Sequence, residues 1–152
     1  MKLHFLYGTE TGNSEMLCED IQAEVGSGFE TEVTCFSDFA PSDLDAETFY
    51  FIVTSTYGSG DLPTNTVPFY DALTAEKPDL KGLQFAVFGL GDMVFAETFN
   101  QGSQKMMELF LACGAQMVGE RGIYDASTAE MPEDTAVPWA QDILTQLQSK
   151  AA

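Results

Sequence analysis

The continuous apolar run Phe49–Thr54 and the run Leu83–Gly89, apolar but for Gln84, constrain this chain more than any other feature. Each is too short for a core helix and has no polar face. A strand that is apolar on both sides needs cover on both sides, which is the habit of parallel sheets. Lys2–Tyr7, Thr31–Phe36 and Gln116–Tyr124 read as three further strands. Between them lie segments of helical period. Ser14–Val25 carries Met16, Leu17, Ile21 and Val25, and Gly26 and Gly28 stop it. Pro68–Glu76, Gln101–Cys113 and Glu133–Gln148 follow, the last with Trp139, Ile143 and Leu147 on one face. Strands alternating with helices predict an α/β, three-layer sandwich: a five-stranded parallel sheet, right-handed crossovers, helices on both faces.

A length of 152 residues suits one domain, read here as residues 1–152. The formal net charge is −18, with only six cations: Lys2, Lys77, Lys81, Lys105, Arg121 and Lys150. Nucleic acid and anionic membranes both require clustered cations, so both are excluded as partners. A basic protein surface is the natural partner, because long-range attraction raises the encounter rate. No apolar run approaches the roughly 20 residues of a membrane span. The N-terminus shows no secretory h-region, so a soluble cytoplasmic protein is expected. Cys18, Cys35 and Cys113 are far apart and form no CxxC pair. They read as buried small hydrophobes in a reducing compartment. His4, the single histidine, reads as structural.

In sheets of this kind ligands bind beyond the carboxyl ends of the strands, at the topological switch point. Three loops of unusual composition leave those ends. The first, Gly8-Thr9-Glu10-Thr11-Gly12-Asn13-Ser14, is a hydroxyl-rich turn between a strand and a helix, without Lys or Arg. It offers backbone N–H groups and hydroxyls at the positive end of a helix dipole. A Walker loop would place Lys where Asn13 stands, and a dinucleotide fingerprint needs a third glycine. A monophosphate held by neutral donors, such as that of FMN, fits better. The second loop, Ser55-Thr56-Tyr57-Gly58-Ser59-Gly60-Asp61, sets an aromatic beside a residue with free backbone. The third spans residues 90–100 and contains Leu90, Gly91, Asp92, Phe95, Phe99 and Asn100. A phosphate nest, aromatic faces and backbone groups along a polar edge are what a flavin needs.

Over almost its whole length the chain resembles the flavodoxin family, closest to the short MioC type and to the FMN domains of diflavin reductases. The carrying motifs are Gly8–Ser14, Ser55–Pro63 and Phe88-Gly89-Leu90-Gly91-Asp92. Pro68–Leu73 and Met131–Asp134 look like the MioC type in particular. The resemblance implies sheet order 2-1-3-4-5, one non-covalent FMN, and single-electron transfer between protein partners. It puts Thr9, Thr11, Asn13 and Ser14 on the phosphate, with backbone help from Glu10 and Gly12. Tyr57 matches the aromatic against one face of the ring, within the loop of Ser55, Thr56, Ser59 and Gly60. Gly58 matches the glycine whose carbonyl can turn toward flavin N5. Leu90, Gly91, Asp92, Phe99 and Asn100 match the loop along the far side. The family's second stacking aromatic stands three residues before this Phe, where the chain has Ala96. Phe95 lies four residues before Phe99 and takes the ring only if the loop carries one extra residue.

The resemblance implies an electron carrier rather than an enzyme. Its partners would be basic redox proteins, such as an NADPH-dependent flavodoxin reductase and an electron-acceptor enzyme, met by a monomer. Asp61, Asp92 and Glu97 would oppose negative charge on the ring. The alternative on the same fold is an NAD(P)H-dependent quinone reductase, which needs a substrate pocket completed by extra loops or an oligomer. No such insertion is present. A signalling receiver domain needs a phosphoacceptor Asp at a strand end; strand one ends in Tyr7-Gly8 and strand three in Thr54-Ser55.

Overall fold

The computed structural model describes residues 2–8, 12–55, 62–91, 101–125, 128 and 130–151. Its strands are β1 (Lys2–Gly8), β2 (Glu30–Cys35), β3 (Thr48–Ser55), β4 (Gln84–Gly91), β5 (Gln116–Met117) and β6 (Gly122–Asp125). The helices are α1 (Asn13–Val25), α2 (Val67–Glu76), α3 (Gln101–Ala112) and α4 (Pro132–Ala151). All pairings are parallel, in the order β2-β1-β3-β4-β5, and β6 also pairs with β4. The expected five-stranded 2-1-3-4-5 sheet is therefore present, with its fifth strand in two pieces. Met117 pairs with Phe85 and Gly122 with Phe88, so Val118–Arg121 stand opposite only Ala86 and Val87. Two extra residues on the edge strand make a bulge.

Strand alternation divides the core into two layers. On one face Leu3, Phe5, Phe49, Phe51, Val53 and Phe88 meet Leu17, Cys18 and Ile21 of α1 and Ala136, Ala140 and Ile143 of α4. On the other, Leu6, Tyr50, Ile52, Phe85 and Val87 meet Phe69 and Leu73 of α2 and Met106 and Phe110 of α3. Phe49–Val53 is buried throughout, as a strand covered on both faces must be. The connection from β2 to β3 winds into two single turns of 3-10 helix, Phe36–Asp38 and Pro41–Asp43, so Phe36 leaves the strand expected to contain it. Asp43 caps the second by accepting from the Ala40 N–H at 3.0 Å.

Two expectations shift. The apolar stripe of α1 runs through Leu17, Cys18, Ile21 and Val25, while Met16 is 62% exposed. Positions 17, 18, 21 and 25 share one face at 3.6 residues per turn, and position 16 falls nearly opposite it. Of the cysteines only Cys18 is buried, and burial pushes its thiol well up. Cys35 and Cys113 are half-buried, since each lies at the end of its element rather than inside a layer. His4 is buried in the sheet, with its ring stacked on Tyr50 at 5.7 Å.

Candidate functional site

The carboxyl ends of the three central strands lie in one row. Gly8 of β1 pairs with Thr54 of β3, which pairs with Gly89 of β4; Ser55 pairs with Leu90 in the next step. The three candidate loops therefore leave from adjacent strand ends within one or two residues of a common level. The chain passes from β1 to β2 on one side and returns to β3 on the other, so this row contains the switch point.

The first loop enters α1 through Gly12, which is left-handed at φ 88°. Glycine takes that conformation without a Cβ clash. The Met16 N–H donates to the Gly12 carbonyl at 3.1 Å, and the backbone N–H groups of residues 13–15 lie ahead of it in the first turn. Ser14 is fully buried there, and among the described residues its Oγ has no hydrogen-bond partner. A buried hydroxyl without a partner costs about 1–3 kcal/mol. The natural remedy at a helix N-terminus is an anion. Glu15, the acid of the first turn, is tied back to the sheet by Tyr7, whose hydroxyl donates to Glu15 Oε2 at 2.8 Å. Burial, with the Glu15 contact, raises the Tyr7 phenol far above its ordinary range.

Beneath this turn the strand ends are packed to contact. A β-carbon at Gly8 would collide with Thr66 Oγ1 and would lie 3.2 Å from Thr54 Oγ1. Thr54 and Thr66 are both fully buried. The Thr54 hydroxyl donates to the Ser55 carbonyl at 3.2 Å, and that of Thr66 to Asn65 Oδ1 at 3.2 Å. Sequence reasoning missed Thr66. Its signal is its place as the N-terminal flanking residue of α2, just ahead of Val67-Pro68.

The described site residues thus fall into two groups. Gly12 and Ser14 stand together at the start of α1, with the backbone of Asn13 between them. Ser55, Leu90 and Gly91 stand at the ends of β3 and β4. The Leu90 side chain is in the core with Phe88 and Val118, so its backbone is what it offers the site. Thr9, Glu10, Thr11, Thr56, Tyr57, Gly58, Ser59, Gly60, Asp92, Phe95, Phe99 and Asn100 lie outside the described residues, as does the Asn13 side chain. Among the described residues no His/Cys/Asp/Glu group is arranged to hold a metal. No described helix is long and apolar enough to cross a membrane.

A doubly wound parallel sheet with a cation-free helix start, entered through a left-handed glycine, at its switch point has the architecture of an α/β cofactor-binding module. The flavodoxin family model matches residues 5–139, and the chain belongs to that family. It is 32% identical to protein MioC of Escherichia coli K12 over 133 residues, covering 87% of this chain and 88% of that protein. It is 33% identical to the sulfite reductase [NADPH] flavoprotein alpha-component of Bacillus subtilis over 147 residues, 93% of this chain but 23% of that protein. In two further curated relatives the chain spans only 8% of their length. Among solved structures, a cysteine-to-serine mutant of a flavodoxin from Pseudomonas aeruginosa superposes with a TM-score of 0.85 at 32% identity, covering 97% of this chain and 99% of that one. Membership makes this an FMN electron-transfer flavodoxin, and the quinone-reductase alternative is not favoured. Flavodoxins carry their ligand at the β1/β3 switch of such sheets, which is the row described above.

Proposed function

We propose that this chain is an FMN-bearing carrier of single electrons, loaded by an NADPH-dependent flavodoxin reductase and unloaded by an acceptor enzyme, with no catalytic turnover of its own. The observation that carries the cofactor reading is Ser14: a buried hydroxyl without a partner, in the first turn of a helix entered through a left-handed glycine. A phosphate monoester satisfies Ser14 Oγ and the N–H groups of that turn together. The absence of a cation among residues 8–14 suits a monophosphate better than a triphosphate.

FMN, when bound, supplies the redox chemistry, taking and giving electrons one at a time at its ring. The chain binds, orients and tunes it. Thr9, Thr11, Asn13 and Ser14 hold the phosphate, with the backbone of Glu10 and Gly12. Tyr57 would cover one face of the ring, and Gly58, having no Cβ, would be free to turn its carbonyl toward N5. Ser55, Thr56, Ser59 and Gly60 would complete that loop; Leu90, Gly91, Asp92, Phe99 and Asn100 would line the polar edge, with Phe95 on the second face if the loop carries one extra residue. The whole of 1–152 serves as one FMN-binding unit, acting as a monomer. Three free thiols suit a reducing, cytoplasmic setting. The charge of −18 suits a basic docking patch on both partners.

Titration of the apo-protein tests this. One equivalent of FMN should bind with loss of flavin fluorescence, and riboflavin, lacking the phosphate, should bind far more weakly. Equal affinity for the two would remove the phosphate site from the first loop.

A further inference from the structure

The bulge in the fifth strand re-aims one side chain. Four residues, Val118–Arg121, stand where two would continue the ladder, and Gly119 turns left-handed at φ 71°. At the end of this excursion Arg121 leaves the sheet edge, and its guanidinium donates to Ser103 Oγ at 2.8 Å. Ser103 is fully buried and is the third residue of α3. At about 1.5 Å of rise per residue, the guanidinium is anchored about 3 Å along the axis from the helix start. Gln101, the first helical residue, follows directly on the third loop of the candidate site.

For stability alone this is a poor place for a cation. The N-terminal turn is the positive end of the helix dipole. Arg121 is also half-buried; desolvation pulls its pKa below the ordinary value, and Glu108 opposes that only in part. The described cations Lys2 and Lys81 lie at the amino-end of the sheet, and Lys77 at the far end of α2. Lys105 is one turn further down α3. Bulges that re-aim a side chain gather beside functional sites, and local violations of stability rules do the same.

We propose that Arg121, aimed by the bulge and pinned by Ser103, is a positioning residue of the cofactor site. It fixes the start of α3 and sets a permanent positive charge at the helix start that follows the third loop in sequence. That charge favours the second electron, which leaves net negative charge on the ring of a chain already at −18. The electron comes from the reductase and leaves to the acceptor; Arg121 exchanges neither electron nor proton. The inference rests on the FMN reading above.

The test compares Arg121→Gln, Arg121→Lys and Ser103→Ala with the wild-type chain. Both one-electron potentials, FMN affinity and the thermal midpoint of the apo-protein are measured. Arg121→Gln should shift the second-electron equilibrium about fivefold against reduction, or about 40 mV at about 59 mV per tenfold for one electron. The first-electron equilibrium should move less than twofold. Arg121→Lys should restore the second to within twofold, and Ser103→Ala, with the charge kept but this hydrogen bond removed, should fall between. A wild-type second-electron potential in Arg121→Gln would overturn the proposal, whatever the thermal midpoint, and leave the contact a structural clamp. An Arg121→Lys variant as impaired as Arg121→Gln would overturn the role of charge. Should Arg121→Gln not fold, Arg121→Met takes its place, and a wild-type second-electron potential there overturns the proposal equally. A wild-type chain that takes up no FMN is a separate result, which overturns the cofactor reading and this inference with it.

Discussion

The α-carbon of Gly8 rests against the side chain of Thr66, leaving no room for a β-carbon at the end of β1. Thr66 is fully buried and its branched side chain has few ways to turn aside. Gly8→Ala should therefore destabilise by about 1–3 kcal/mol, the usual cost of overpacking. Combining it with Thr66→Ala should recover part of that loss, because the two positions share one contact. Urea unfolding of the two single variants and the pair measures the coupling. Strict additivity would mean that the strand end relaxes elsewhere.

Ser14→Ala should act with opposite signs on fold and on ligand. The apo-protein should be unchanged or more stable, since a buried hydroxyl with no partner is removed. FMN affinity should fall roughly 10- to 100-fold, the worth of a hydrogen bond to a charged group. Riboflavin affinity should stay the same. Calorimetry and fluorescence titration on one preparation check both halves. A destabilised apo-protein with normal FMN affinity would make Ser14 a packing residue.

His4 predicts a pH effect. Lys2 donates to Glu32 at 2.7 Å, and Thr34 donates its one hydroxyl hydrogen to Glu32 at 3.2 Å. The 2.8 Å contact from His4 to Thr34 is thus donated by Nε2–H. Burial lowers the His4 pKa; Lys2 acts in the same direction, and Glu32 and Asp43 act against it. The unfolded chain therefore takes up the proton first as pH falls. This group's contribution is present above the ordinary histidine pKa of about 6.5 and is lost as pH drops below it. Relief of negative self-repulsion works the other way, so the difference between wild type and His4→Phe is the quantity to follow. That difference should shrink in favour of His4→Phe between about pH 7 and pH 5. A pH-independent difference would remove His4 as its source.

The charge predicts salt-sensitive encounters. Stopped-flow reduction by a flavodoxin reductase should slow steeply as salt passes about 0.1 M, where the screening length is about 10 Å. Charge reversal at Asp61 of the second loop and Asp92 of the third should slow electron transfer while FMN affinity holds. A salt-independent rate, with the double variant matching wild type, would reduce the acidity to an aid to solubility.

Much of the fold was legible because its signals are local. Phe49–Val53 and Phe85–Phe88 carry no polar face, and only a doubly covered strand accepts that. Gly12 and Ser14 were legible as a helix start with hydroxyls. What the sequence could not show was long-range. The run Gln116–Tyr124 has the composition of one strand, and its break appears only against β4, where Phe85 and Phe88 fix the register on either side. The contact of Thr66 with Gly8 joins the start of α2 to the end of β1, and no spacing rule links them. The stranded hydroxyl of Ser14 is likewise a property of the packed state, since hydroxyls in a disordered turn are hydrated.

Trp139 is the chain's one tryptophan. Its indole N–H donates to the Glu120 carbonyl at 3.0 Å, and its ring lies 5.8 Å from Phe51 and 5.2 Å from Phe88. It is therefore clamped between the bulge of the edge strand and the centre of the sheet. Indole emission overlaps flavin absorption, and in a protein this small the two chromophores are within reach of resonance energy transfer. The wavelength of that emission reports whether the sheet is packed, and its intensity reports whether a flavin is present. The molecule thus carries its own optical gauge, which reads folding and loading separately without a label.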